Sequence, residues 1–205
     1  MSVAGEHVTE KVIEKSRFIT TLNHVESDEQ AKNFIAEVKD KFADATHNCY
    51  AYVADKLGNF LRFSDDGEPQ GTAGLPMLEV LKNNCLFETA VVVTRYFGGI
   101  KLGAGGLVRA YSGCVSENIA SARKVMYLPC AESRYVTDYP SIDRALRYIE
   151  DYGADLISSE YSNEAVFTVA VKKSEEQEFN GGFVNRLNGK LKIEKLREYF
   201  FPFKI

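Results

Sequence analysis

The chain has 205 residues, of which 45% are hydrophobic and 26% charged, and its formal net charge at pH 7 is −4. This balance excludes a disordered chain, and the negative net charge excludes recruitment of nucleic acid by a global basic field, so any polyanion site must be a local patch. Four cysteines without a CxxC pair, and an N-terminus without an apolar signal segment, predict a cytoplasmic protein with reduced thiols. No apolar run approaches the roughly 18 residues that a membrane span needs, so no membrane association is expected.

The first half of the chain is predicted to mix strands with short helices. Period-two alternation marks the strands, and Ser27 and Gln30 occupy capping positions before the clearest helix. Three glycines and two prolines predict a loop over 66–76, and Pro76 suits the first turn of the helix that follows. The predicted elements are two strands over 7–25 meeting near Lys15–Ser16, a helix over 27–42, strands over 47–55 and 60–66, a helix over 76–84, a strand over 89–97, a helix from about 107 and a strand over 124–129.

The second half predicts a regular order of elements. These are a strand over 132–139, a helix over 140–153, strands over 154–161 and 164–172, a weaker helix over 174–189 and a strand over 191–201. The order β-α-β-β-α-β within about 70 residues is that of the ferredoxin-like, split βαβ plan. The sequence therefore predicts an α+β protein of two domains, 1–130 and 131–205.

The stretch "RYFGGIKLGAGGLVRAY", residues 95–111, is the first candidate site. It lacks the Lys-Ser/Thr pair of a Walker A loop, and Val108 stands where a dinucleotide fingerprint needs its third glycine. A strand, a glycine-rich turn and a helix can still direct several backbone N–H groups at an anion. The other interpretation is that the glycines serve positive φ angles and close packing, with the basic residues solvated. The candidate phosphate-binding residues are Arg95, Gly98, Gly99, Lys101, Gly103, Gly105, Gly106 and Arg109, with Arg62 as an addition.

A second motif, "FSDDGEPQGTAG", is acidic and contains Asp65, Asp66, Glu68 and Thr72. Its carboxylates resemble an oxygen-ligand set for a hard cation, but the spacing is not that of an EF-hand loop. The alternatives are a turn in which the Asp side chains accept hydrogen bonds from their own backbone, or an internal ion-pair network with the basic residues of 95–109. No metal ion or cofactor is predicted.

"THNCYAY" places His47 and Cys49 two positions apart on a predicted strand and therefore on one face. A nucleophile–base pair or a shared metal ligand is one interpretation, but a third ligand is missing. A histidine bonded to a carbonyl, beside a small core cysteine, is the other. No known catalytic motif is present elsewhere, so the sequence does not predict an enzyme.

The two long motifs in this order, with "THNCYAY" upstream, strongly resemble the YigZ/IMPACT family. The resemblance covers nearly the whole chain and implies an N-terminal domain like the second domain of a ribosomal protein and domain four of elongation factor G. It also implies a C-terminal domain like domain five of that factor. Eukaryotic relatives regulate translation by competing for the activator of a starvation-responsive kinase. They lack the C-terminal domain, so their partner does not transfer to this chain.

Three functions remain open from the sequence. The first is a binding protein for RNA, the ribosome or a translation-associated protein, with Arg95, Lys101 and Arg109 meeting phosphates. The second is a protein–protein adaptor that uses the same surface. The third is a metal-dependent enzyme for a phosphorylated substrate, which requires the acidic and basic motifs to converge on one cleft. The oligomeric state is not predicted.

Overall fold

The protein consists of two α+β units. The computed structural model describes all of residues 1–205, and its contacts divide the chain into Met1–Val125 with Ile205 and Met126–Lys204. The predicted fold class, α+β with two domains, is confirmed. The predicted boundary at residue 130 lies within a single strand and stays a prediction.

The first unit is an antiparallel sheet of five strands in the order β2-β3-β6-β4-β5. A short strand, β1, lies outside this sheet and pairs instead with Lys124 and Val125. The elements of this unit are β1 Ser2–Val3, β2 His7–Ile13, β3 Ser16–His24, α1 Asp28–Lys41, β4 His47–Val53, β5 Leu61–Ser64, α2 Gly74–Asn83, β6 Thr89–Tyr96 and α3 Gly103–Ser121.

Both faces of this sheet are covered, because alternate residues of its strands point in opposite directions. Ala90 and Val92 of β6 pack with α1 on one face. Val91 and Val93 pack with α2 and α3 on the other face. Strand β6 is therefore buried along nearly its whole length, which explains the β-branched run that predicted a central strand.

Side chains set the start of two helices. The side chain of Ser27 accepts a hydrogen bond from the N–H of Gln30 (3.2 Å) and so caps α1, as predicted. Helix α2 begins at Gly74, two residues before the predicted start at Pro76. The reason is the carboxylate of Asp65, which accepts hydrogen bonds from the N–H groups of Ala73 (3.0 Å) and Gly74 (2.8 Å).

The second unit has the predicted β-α-β-β-α-β order. Its strands lie in the order β10-β7-β9-β8, which is the ferredoxin-like arrangement. One prediction is wrong: the strands over 124–129 and 132–139 are one strand, because Pro129 lies outside the ladder of β7 with β9, which begins at Cys130. The elements are β7 Lys124–Thr137, α4 Ile142–Tyr152, β8 Asp155–Tyr161, β9 Ala165–Lys172, α5 Glu176–Arg186 and β10 Lys192–Lys204.

Aromatic side chains fill the core of the second unit. Tyr135 of β7 contacts Phe179 and Phe183 of α5, with ring centroids 5.7 and 5.2 Å apart. Tyr148 of α4 stacks on Phe183 at 4.9 Å. None of the helices in either unit combines the length and the apolar character required to cross a bilayer.

Candidate nucleic-acid interface

A buried ion pair joins the acidic motif to the glycine-rich motif. The Arg95 Nη1 donates to Glu68 Oε1 at 2.7 Å, and both side chains are about 95% buried, with 5% and 4% exposed. The hydroxyl of Tyr111 donates to the same oxygen at 2.8 Å, and Ser16 Oγ accepts from Arg95 Nη2 at 3.2 Å. The internal ion-pair network, left open by the sequence, is therefore present at Glu68 and Arg95.

The first aspartate of the acidic motif accepts hydrogen bonds from the backbone of its own loop. Asp65 accepts hydrogen bonds from the N–H groups of Gly71, Ala73 and Gly74. Burial alone would favour its neutral form, but these N–H groups hold the pKa of Asp65 below its usual range. The hydroxyl of Thr72, in the same loop, donates to the carbonyl of Pro69 at 2.6 Å.

The carboxylate of Asp66 also accepts hydrogen bonds from donors within the protein. It accepts from Lys39 Nζ at 2.6 Å and from the N–H of Asn48 at 2.7 Å. Burial opposes ionisation here too, yet the lysine and the N–H group keep the pKa of Asp66 lowered. Because Asp65, Asp66 and Glu68 each accept hydrogen bonds from different internal donors, their carboxylates do not converge on one point. Of the three, Glu68 lines a pocket together with Arg95 and Lys101 of the glycine-rich motif.

His47 and Cys49 both contact the acidic loop, but neither activates the other. The Nδ1–H of His47 donates to the carbonyl of Asp66 at 2.8 Å. The thiol of Cys49 donates to the carbonyl of Asp65 at 2.9 Å, and burial raises the pKa of this thiol to about 12. Cys49 is thus a protonated core residue at neutral pH, which matches the structural interpretation of this pair.

The glycines of the second motif fall into two groups. Gly98 packs against the hairpin between β2 and β3: a Cβ at this position would lie 2.0 Å from the carbonyl carbon of Lys15. Gly99 (φ 85°) and Gly103 (φ 70°) adopt left-handed backbone conformations that favour glycine. Gly105 and Gly106 lie inside the first turn of α3, and nothing stands within 4 Å of a Cβ built at Gly105.

The backbone of this loop offers a run of free donors. The N–H groups of residues 99–102 donate no hydrogen bond within the protein. Those of residues 103–105 open α3, where an N–H group has no intrahelical acceptor, and α3 has no side-chain cap. Most of these residues are exposed. The first N–H groups of a helix carry a partial positive charge, so this stretch favours an anion.

Exposed basic side chains surround these donors. Lys101 and Arg109 are exposed and make no ion pair, and both line a groove of about 450 Å³ with Glu14 of the β2–β3 hairpin. Lys15, at the tip of this hairpin, is also exposed and unpaired, and its peptide contacts Gly98. We call Lys15, Lys101, Arg109 and the N–H groups of residues 99–105 the glycine-rich face.

Two residues of the predicted set lie elsewhere. Arg95 is buried against Glu68, and only 4% of it is exposed, at the wall of a pocket. Arg62 pairs across β4–β5 with Tyr52, whose side chain packs on the α1 side of the sheet, and it lies 3.6 Å from Asp28. Lys15 is the residue that sequence reasoning missed, because its place beside Gly98 depends on a contact between residues far apart in the chain.

Apolar side chains complete the surface around the glycine-rich face. Phe97 is 47% exposed, and Ile100 and Val108 are each 37% exposed. The ring of Phe97 lies 5.5 Å from the guanidinium of Arg95. Partly exposed aromatic and aliphatic side chains beside unpaired cations are typical of surfaces that contact single-stranded nucleic acid.

Comparison with known proteins places this architecture in a family. The Impact N-terminal domain matches residues 14–119, and a domain of unknown function (DUF1949) matches residues 136–190. The chain is 43% identical over 196 residues to the IMPACT family member YvyE of Bacillus subtilis, with 94% of this chain and 88% of that protein covered. It is 36% identical over 188 residues to the IMPACT family member YigZ of Escherichia coli, with 91% and 92% covered.

A solved structure shows the same fold along the whole chain. The crystal structure of a hypothetical protein superimposes with a TM-score of 0.61 at 34% identity and covers 96% of both chains. The glycine-rich face and the acidic motif both fall within the segment that matches the Impact N-terminal domain. On sequence, domain order and fold together, the chain belongs to the IMPACT family.

Proposed function

We propose that this protein binds RNA through its glycine-rich face. The observation that carries the proposal is a groove lined by two unpaired cations, Lys101 and Arg109, beside a run of backbone N–H groups without acceptors. A third exposed lysine, Lys15, stands in the hairpin turn that packs against Gly98. These groups lie together in a chain whose net charge is −4, so the face is a local positive patch.

Phosphate is the ligand group that this face suits best. Lysine and arginine form charge-assisted hydrogen bonds with phosphate oxygens, and N–H groups at a helix N-terminus add to them. Contacts of this kind do not depend on base identity, so binding is expected to be strong at low salt and weakly sequence-specific. The exposed side chains of Phe97 and Ile100 provide apolar contact for unstacked bases.

The resemblance to the YigZ/IMPACT family directs the choice of RNA. Because the family's eukaryotic members act on translation, ribosomal RNA on the intact ribosome is the first substrate to examine. We infer a role in translation or its regulation, in which the glycine-rich face contacts the ribosome.

Sedimentation with purified ribosomes tests this proposal. Wild-type protein is expected to pellet with ribosomes at low salt and to be released at high salt. Lys101→Glu and Arg109→Glu should each reduce the pelleted fraction, since each replaces a phosphate contact with a repulsive charge. Lys41→Glu is the matched control, because Lys41 is exposed at the end of α1, on the opposite face of the sheet.

The adaptor alternative gives a different pattern. A protein partner on the ribosome would retain the chain at high salt, and binding to protein-free ribosomal RNA would be absent. Equal effects of the Lys101, Arg109 and Lys41 reversals would also contradict the proposal, because a nonspecific loss of charge would then explain the binding.

A further inference from the structure

We propose that a pocket beside the glycine-rich face binds one terminal ribonucleotide, with its phosphate against the start of α3. The pocket has a volume of about 300 Å³ and is lined by Glu68, Arg95, Phe97, Lys101, Gly103 and Ala104, among others. This volume is at the lower end of the range for small-ligand sites. It suits a single nucleotide better than a continuous strand. The inference deepens the proposed function and rests on it for the source of the nucleotide, an RNA end.

The first observation is a buried donor without an acceptor. Arg95 is 96% buried and forms part of the pocket wall, and its Nη groups bond to Glu68 and Ser16. Its Nε–H has no hydrogen-bond partner. A buried donor left unpaired costs free energy, and in native structures such a group requires an explanation. Because Arg95 lines the pocket, a small shift of its guanidinium towards a ligand oxygen there would provide one.

The second observation is the charge at the pocket's rim. Arg95 and Glu68 neutralise one another, so the excess positive charge comes from Lys101 and from the N–H groups of Gly103 and Ala104 at the start of α3. Neither the lysine nor these N–H groups have a partner within the protein. The pocket therefore favours an anion, and phosphate is the anion that lysine and N–H groups at a helix start commonly bind.

The third observation specifies what else the ligand carries. Glu68 Oε1 accepts two hydrogen bonds, but Oε2 accepts none, and His47 Nε2 lies 3.9 Å from it. Glu68 Oε2 can therefore accept a hydrogen bond from a donor group of the ligand, such as a ribose hydroxyl. Phe97, half-exposed at the same pocket, offers a ring face for a base. Phosphate, hydroxyl donor and aromatic ring are the three parts of a ribonucleotide.

The experiment compares short RNA oligonucleotides that carry a 5′-phosphate, a 3′-phosphate or neither, with the four ribonucleoside 5′-monophosphates as free probes. Affinities are measured by fluorescence anisotropy and by titration calorimetry on the full chain. An oligonucleotide with a terminal phosphate should bind about tenfold more tightly than one without, since it gains charge-assisted hydrogen bonds. Equal affinity for all three oligonucleotides would overturn the inference.

Ala104→Asp is the decisive variant. An acidic residue in the first turn of a helix is favourable for the helix, so the variant should fold at least as stably as the wild type. The same carboxylate would repel a phosphate in the pocket and abolish the preference for a phosphorylated end. Asn33→Asp, exposed on α1, adds the same charge on the opposite face of the sheet and should leave the preference unchanged.

The outcomes separate the pocket from the proposed function. If Ala104→Asp retains the terminal-phosphate preference, the pocket inference fails while RNA binding by the glycine-rich face stands. If the free monophosphates bind in an Ala104→Asp-sensitive manner but no RNA binds, the proposed function fails and the pocket takes a free nucleotide. A tenfold loss on Phe97→Ala with the base-containing probes, but none with inorganic phosphate, would support stacking of the base on this ring.

Discussion

Gly98 and Gly105 belong to one glycine-rich motif, and the structure predicts opposite effects for their replacement by alanine. At Gly98 a new Cβ would lie 2.0 Å from the carbonyl carbon and 2.1 Å from the carbonyl oxygen of Lys15. Ordinary van der Waals contact begins at 3.4 Å, so the loop and the hairpin would have to separate by about 1.4 Å. Both contact surfaces are backbone, which cannot yield as a flexible side chain can.

Two effects contribute to the expected loss in the free energy of unfolding. Overpacking of this kind costs roughly 2 kcal/mol. A separation of 1.4 Å would also break the hydrogen bond from the Gly98 N–H to Ser16 Oγ, now 3.2 Å long, which adds about 1 kcal/mol. We therefore expect Gly98→Ala to lower the free energy of unfolding by about 3 kcal/mol.

Gly105→Ala provides the contrast. Its Cβ would meet no atom within 4 Å, and its φ is not left-handed. Alanine is favoured over glycine in a helix by roughly 0.5–1 kcal/mol, so the variant should be more stable by about this amount.

Urea-induced unfolding followed by far-UV circular dichroism measures both changes, with the slope of the transition checked for equality among the variants. Wild-type stability in Gly98→Ala would refute the packing role of Gly98. A loss of stability in Gly105→Ala would mean that folding requires glycine at this position, and it would refute the second prediction.

Three further predictions concern the interior. Arg95→Met and Glu68→Gln should each lower the free energy of unfolding by about 3–5 kcal/mol in urea titrations, because each leaves a buried group unpaired; the double variant should lose less than the sum of the two, and strict additivity would contradict the pairing. Because the pKa of Asp65 is depressed in the folded state, its contribution to stability is present above its unfolded pKa of about 3.9 and is lost as pH falls through the lower folded value. Unfolding measured from pH 6 to pH 3 should therefore depend less on pH in Asp65→Asn than in the wild type. A thiol reagent should label only Cys85 in the native protein, since the other three cysteines are buried, and Cys85→Ser should remove the reaction; rapid labelling of Cys49, whose pKa is raised to about 12, would contradict its burial.

Local sequence determines much of this fold. The capping pair Ser27 and Gln30 starts α1 where predicted, and the β-branched run of β6 lies in the centre of its sheet. The order of elements in the second unit follows from periodicity alone. In each case the decisive interactions lie within a few residues of one another or depend on a repeated pattern.

Features that depend on contacts distant in sequence could not be predicted in the same way. The start of α2 is set by the carboxylate of Asp65, which belongs to the preceding loop. The pairing of Glu68 with Arg95 was one alternative among three, because a carboxylate's partner is decided by folding rather than by spacing. Lys15 was missed because only the packed hairpin brings it to Gly98.

Three residues around the loop that precedes α3 are unfavourable for local stability, and together they support a functional role for this loop. Lys15 adopts a φ of 64° in a two-residue hairpin turn, where glycine or asparagine is favoured. Gly105 weakens the first turn of α3 without any packing need, and the Nε of Arg95 is buried without a partner. Each of these features costs local stability. Natural sequences tolerate such conflicts mainly where a ligand or partner uses them, so the position of all three beside the start of α3 agrees with the proposed binding site there.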